Sequence, residues 1–262
     1  MEAIGGVEFN FSMLTKMSRL FEACMNLNNS ELIDKIENLI DDINTVDESG
    51  ETALTRLVQR NCYQGVRHLI RHGADVNKGA HSPLHFANGL SIMEYLLEHD
   101  ANMDQRDIDG ATPVMTISNP EVVIRLLRKG ADPLVIDHHG RNLLHTINDD
   151  RIVPYLVSIG VDINKGDNQK RTPLHHAVMK HNSTLVLTLL DEGANPNVQD
   201  ESGATPFILA CKLGDEKSAT MLLGYDAAIN IRDKFGKTGL CYAHFHCSKC
   251  FVQAIVSCGA RE

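Results

Sequence analysis

The chain has 262 residues, 43% hydrophobic but only 5% aromatic and without tryptophan, so its core has to be built from aliphatic side chains in thin layers. A net charge of -9 and a pI near 5.8 exclude a general affinity for phosphate backbones, which needs clustered Lys and Arg, and nucleic acid is not an expected partner. No stretch reaches the roughly 18 consecutive apolar residues that span a bilayer, and Met1 to Phe11 carries Glu2 and Glu8 where a secretory leader would be basic and then apolar.

The seven cysteines are odd in number and unevenly placed, as expected of reduced thiols in an intracellular, cytoplasmic protein with no membrane partner.

In chain order, residues 1–16 read as a flexible tail. Ser18 to Cys24 and Leu32 to Ile43 carry apolar residues at helical spacing, with Ser30 as the cap of the second run, and predict an N-terminal capping unit over 17–46. From there a similar stretch begins at Thr52, Ser82, Thr112, Asn142, Thr172, Thr205 and Thr238, at steps of 30, 30, 30, 30, 33 and 33 residues.

The most regular instance is TPLHHAVMKHNSTLVLTLLDEGANPN, Thr172 to Asn197. Thr172 is a good N-cap, and Pro173 stands at the first helical position, where a missing N–H costs nothing. Leu174, Ala177 and Val178 form one apolar stripe, and after the polar break His181-Asn182-Ser183 comes a second: Leu185, Val186, Leu189, Leu190. Gly193 ends the second helix, and a turn-rich connection follows up to Asp200 and Gly203. Two short antiparallel helices and an extended turn make one unit.

The units beginning at Ser82, Thr112 and Asn142 are shorter. Their Thr position lies 22 residues before the turn Asn, against 25 in the full unit, and the break between the helices is expected to take the loss. The unit at Thr52 keeps its helices but has a short connection to Ser82, so a stunted finger is expected there. Asp100 and Lys170 stand where other units have Gly, and Val161 where they have Ala. The last unit stops at Gly259-Ala260, just past its second helix.

These residues carry a resemblance. Thr172-Pro173-Leu174-His175 with Ala177, Ser82-Pro83-Leu84-His85 with Ala87, Thr112-Pro113, Leu144-His145, Thr205-Pro206 with Ala210, and the turns Gly73-Ala74-Asp75, Gly130-Ala131-Asp132 and Gly193-Ala194-Asn195 resemble the ankyrin repeat. The resemblance implies an all-α solenoid of helix-turn-helix units with protruding turn or β-hairpin connections, in about seven repeats over 47–262 starting near 47, 79, 107, 137, 167, 200 and 233. It also implies a non-catalytic protein-interaction module: a scaffold, adaptor or inhibitor. It gives His85, His145 and His175 a role in hydrogen bonding between turns, and it puts Asn77, Asn164, Asn197 and Asn230 where the family is often hydroxylated. Alternative roles are recognition subunit or substrate adaptor of a larger enzymatic assembly, or a viral or bacterial effector acting on host proteins.

No nucleotide-loop, nucleophile-elbow or metalloprotease motif is present, and neither a catalytic residue nor a cofactor is expected. Cys241, His244, His246, Cys247 and Cys250 bring ligand types together, with the two-residue gap of a zinc knuckle between the last two cysteines. The repeat register already accounts for Cys241, Ala243, Phe251 and Ile255 as helical positions, and no metal is expected.

The expected partner surface lies on the turn tips and inner helices. Tip charge changes sign along the chain, from Glu48 and Glu51 to Lys165, and from Glu201 to the last turn. The candidates are Arg106, Ile108, His138, His139, Arg141, Lys170, Arg171, Arg232, Lys234, Phe235 and Lys237; their basic character suits an acidic segment of another protein. The chain by itself is expected to be a monomer.

Overall fold

Several units start with a side-chain cap. Thr52 Oγ1 accepts from the Thr55 amide at 3.2 Å, Thr205 Oγ1 accepts from Ile208 at 3.2 Å, and Thr172 forms a capping box with His175. Four second helices are capped in the same way by the last residue of the break: Asn119, Asn182, Asp215 and Ser248 each accept from an amide two or three positions on. The computed structural model describes residues 43–262; the expected tail 1–16 and all but the end of the capping unit 17–46 lie outside them.

Among the described residues there are thirteen α-helices and two 3-10 helices. They are α1 (Ala53–Gln59), α2 (Tyr63–Arg71), a 3-10 helix at Pro83–Phe86, α3 (Leu90–Glu98), α4 (Pro113–Thr116), α5 (Pro120–Lys129), α6 (Leu143–Thr146), a 3-10 helix at Asp150–Ile152, α7 (Val153–Ser158), α8 (Pro173–Met179), α9 (Ser183–Asp191), α10 (Pro206–Leu213), α11 (Glu216–Gly224), α12 (Gly239–His246) and α13 (Lys249–Ser257). The fold is all-α and repeat-built. No β-strand occurs among these residues; the single isolated bridge joins Val46 to Thr52, and the connections are tight turns rather than β-hairpins.

The chain forms two compact units, one ending at Ile108 and one running from Asp109 to Glu262. In the first, α1 packs on α2 and on the 3-10 helix at Pro83, around Leu54, Leu57, Leu69, Leu84, Ile92 and Leu96, each at most 1% exposed. In the second, α8, α10 and α12 pack side by side, each backed by its own second helix, and bury Leu174, Ala177, Phe207, Ala210 and Ala243 completely. Each fully buried Leu or Phe contributes about 1.5–3 kcal/mol, and Ala177, Ala210 and Ala243 let α8, α10 and α12 approach closely.

The length difference between units is absorbed elsewhere than expected. All three short units keep a three-residue break: 87–89, 117–119 and 147–149, matching 60–62 and 180–182 in full units. The first helix instead loses its last turn, shrinking from seven or eight residues to four. The break is indispensable because it reverses the chain and ends in the cap of the next helix, whereas a terminal turn can be deleted without moving either. The full units at Thr52, Thr172 and Thr205 pass through a left-handed residue there, Asn61 (φ 54), His181 (φ 52) or Gly214 (φ 71), while the unit at Thr238 crosses through extended Cys247 (φ -112, ψ 165) and a short unit through extended Ile147 (φ -61, ψ 151).

Lys180 fills the place of the missing turn beside α6. Its ammonium donates to the main-chain oxygens of His145 and Ile147 at 3.3 and 3.2 Å and to Asn148 Oδ1 at 2.9 Å. A cation from the neighbouring full unit thereby satisfies the open carbonyls of a shortened helix.

The connection after α2 lacks the turn seen elsewhere and bends through Gly79 (φ 128), held by Ala80 N–H donating to Gly50 O at 2.8 Å. Asp100 (φ 64) and Lys170 (φ 59) adopt the left-handed backbone of the glycines they replace, and Val161 is 3% exposed.

Candidate partner-binding surface

Five of the connections are each built on one aspartate. Its main-chain N–H donates to the oxygen four residues on, and its Oδ1 accepts from the amides two and four residues on: Ser49 and Glu51 for Asp47, His139 and Arg141 for Asp137, Gln169 and Arg171 for Asp167, Ser202 and Ala204 for Asp200, Phe235 and Lys237 for Asp233. All of these amide bonds fall between 2.8 and 3.0 Å. The turn therefore needs nothing from the side chains at its tip.

The second oxygen of the carboxylate ties the turn to a helix. Arg56, His176 and Tyr242, each nine residues after its aspartate, donate to Asp47, Asp167 and Asp233 at 2.5, 2.8 and 2.6 Å. These bonds to the ionised form, with the amide bonds, hold all three carboxyl groups below the usual aspartate value although burial pushes the other way. Thr146 lies nine residues after Asp137, and Asp137 is served instead by Arg141 Nε at 2.7 Å.

Successive tips in the second unit are linked by main-chain bonds: His138 N to Asp109 O, Asn168 N to His139 O, Glu201 N to Gln169 O and Lys234 N to Ser202 O, all 2.8–2.9 Å. At the other end of the helices, side chains of turn asparagines bridge units. Asn197 Oδ1 accepts from Ala228 N at 2.6 Å while its Nδ2 donates to Asp226 O at 3.1 Å, and Asn77 and Asn230 make the same pair of bonds. His145 and His175 reach from their helix to the oxygens of Arg171 and Ala204 at 2.9 and 3.1 Å.

The candidate contact residues divide accordingly. Arg106 and Ile108 belong to the first unit, where both are exposed, Ile108 by 69%. In the second unit His138, His139, Lys170, Lys234 and Phe235 are exposed at tips, Phe235 by 73%. The His138 ring lies over Gly110, where an added Cβ would come within 2.6 Å of it, and His139 Nε2 is 3.8 Å from Asp109. Arg141 is half-buried in its bond to Asp137, and Arg171 half-buried with Nε 3.7 Å from Asp200 Oδ2. Arg232 donates to Gly236 O at 2.6 Å and to the main chain of Glu262. Lys237 Nζ stands over the Tyr242 ring.

Sequence reasoning passed over Lys180, Lys212 and Tyr242. Lys180 opens the break after α8, Lys212 lies near the end of α10, and the role of Tyr242 shows only when units are superposed on the Thr position: Arg56, His176 and Tyr242 each fall four residues after it.

Among the described residues, no group of three His, Cys, Asp or Glu is arranged to hold a metal ion, and six cysteines are unpaired. Cys241 Sγ faces Thr238 Oγ1 at 3.6 Å, Cys247 Sγ faces Cys211 O at 3.7 Å, and Cys250 is exposed. Burial pushes the Cys211 and Cys247 thiols up, away from the thiolate a metal would need. No helix among these residues is long and apolar enough to cross a membrane.

A family model described as ankyrin repeats matches residues 20–107, 114–200 and 180–261. Over 229 residues the chain is 28% identical to E3 ubiquitin-protein ligase KEG of Arabidopsis thaliana, covering 75% of this chain and 14% of that protein. It is 30% identical over 212 residues to Protein glp-1 of Caenorhabditis elegans (75% and 15%), and 27% identical over 222 residues to Palmitoyltransferase ZDHHC17 of Homo sapiens (65% and 34%). The chain thus spans about a third or less of the length of these relatives.

Proposed function

Because the chain belongs to the ankyrin-repeat family, whose repeats are typically non-catalytic protein-interaction modules, we propose that it works as a scaffold, adaptor or inhibitor by occupying the surface of another protein. About seven repeats over 47–262, starting near 47, 79, 107, 137, 167, 200 and 233, would carry the surface. The carrying observation is that in five turns one aspartate supplies the bonds that hold the turn, which leaves the tip side chains available to specify a partner. Exposed His138, Lys170, Lys234 and Phe235 suit a partner segment that is acidic and partly apolar. The chain by itself is taken as monomeric, and unpaired thiols suit a reducing, cytoplasmic setting.

A second reading is favoured by the relatives: a ligase and palmitoyltransferases share this repeat region as a small part of much longer chains, so the present chain would be the recognition part of a larger enzymatic assembly.

The test is affinity capture by the wild-type chain and by a variant with Ala at His138, Lys170, Lys234 and Phe235, both checked for equal helicity. A folded protein captured by the first and lost by the second supports the tip surface. Identical capture by both rejects it.

A further inference from the structure

Gly239 brings α12 against α10: a Cβ there would lie 2.5 Å from Phe207 Cε1. The close approach sets the end of α10 beside Tyr242. Lys212 Nζ then stands 5.6 Å from the centre of the Tyr242 ring and Lys237 Nζ 5.4 Å from it. The ring is fixed from below, because its hydroxyl donates to Asp233 Oδ2 at 2.6 Å.

Two ammonium groups thus stand over the ring of Tyr242. The nearby carboxylate, Asp233, is already committed: Tyr242 holds one oxygen, and the Phe235 and Lys237 amides hold the other. Among the described residues neither lysine has an acidic group within ion-pair distance. The helices and the turn that carry these lysines and Tyr242 also carry exposed apolar side chains. Leu213 follows Lys212 and is 42% exposed, Phe245 lies one helical turn after Tyr242 and is 82% exposed, and Phe235 is 73% exposed on the turn that Tyr242 grips. On a chain of net charge -9, two lysines with no ion pair, one of them acting on Asp233 only at a distance, together with exposed apolar side chains form a surface that suits an anion.

We propose that Lys212, Lys237 and Tyr242, rimmed by Leu213, Phe235 and Phe245, form a binding site for an acidic residue of a partner peptide flanked by bulky apolar residues. The carboxylate pairs with an ammonium group at the Tyr242 ring and its apolar neighbours cover the phenylalanines. The site rests on the interaction-module reading and gives it a specific partner chemistry.

The test uses the whole chain as bait for a displayed library of random dodecapeptides, followed by fluorescence polarisation with the most enriched peptide. The variants are Lys212→Gln/Lys237→Gln, Phe235→Ser/Phe245→Ser and, as a control on the outer helix α11, Lys217→Gln; all change exposed residues, so equal melting temperatures are expected. The enriched peptides should carry Asp or Glu next to Phe, Leu, Ile or Met. The lysine pair should cost about tenfold in affinity, the worth of a charge-assisted contact, with a clear loss for the phenylalanine pair and none for Lys217→Gln. Peptides without an acid, affinity untouched by the lysine pair, or no enrichment at all would overturn the site. None of those results would reject the interaction module, which stands or falls on the capture of a folded partner.

Discussion

His175 Nε2 meets the main-chain oxygen of Ala204 at 3.1 Å, twenty-nine residues further along the chain. Its Nδ1 accepts from the Thr172 amide at 3.2 Å and faces the Thr172 hydroxyl at 2.9 Å, so Nε2 carries the proton and donates it. One fully buried neutral imidazole thus closes the cap of its own helix and fastens the next turn.

Replacing His175 by Ala removes both functions and leaves a buried amide and carbonyl unpaired. Stability should fall by about 3 kcal/mol, read as a lower midpoint in urea unfolding at neutral pH; a loss below ~1 kcal/mol would mean that the bridge is idle.

The same burial sets the acid response. Desolvation lowers the His145 pKa from 6.5 to about 4 and also lowers those of His175 and His176. A depressed folded value means that the unfolded chain binds more protons between these limits. The stabilisation is therefore complete above pH ~6.5 and lost as pH falls toward ~4, on the order of 3 kcal/mol for His145. Asp47, Asp167 and Asp233, also depressed, extend the loss below about pH 3.8. In a pH series of urea midpoints, His145→Gln should flatten the first of these limbs and leave the second.

Lys170 holds a left-handed backbone (φ 59) at a turn position filled by Gly in the matching turns at Gly140, Gly203 and Gly236. Lys170→Gly should raise stability by roughly 0.5 kcal/mol, strain relief exceeding the added freedom of the unfolded chain. Gly203→Ala should cost about 2 kcal/mol, because φ is 79 and the new Cβ would lie 2.8 Å from Lys234 N. Equal and opposite small effects at both sites would refute the strain argument.

Lys180→Met keeps the stem of the side chain and removes the ammonium from the end of α6. A loss of about 1 kcal/mol is expected, with faster amide exchange confined to 143–149. Exchange unchanged there would show that the carbonyls are as well served by water.

Much of the fold was legible in the chain because its determinants are local. The recurring Thr or Asn caps, proline at the first helical position of several units, and glycines where the backbone turns left-handed act through bonds within a few residues, and a repeat states them several times. The resemblance gave His175 its bridging role in the same way. Sequence could not tell that a three-residue deletion shortens the first helix and spares the break, since both outcomes bury the same stripe; the need to keep the chain reversal and the next cap decided it. Nor could it separate Arg141 and Arg171, drawn onto Asp137 and Asp200, from Lys170 and Lys234, exposed at their tips. Side chains about 30 residues apart become neighbours only when units stack, and stacking alone set Lys212 over the ring of Tyr242.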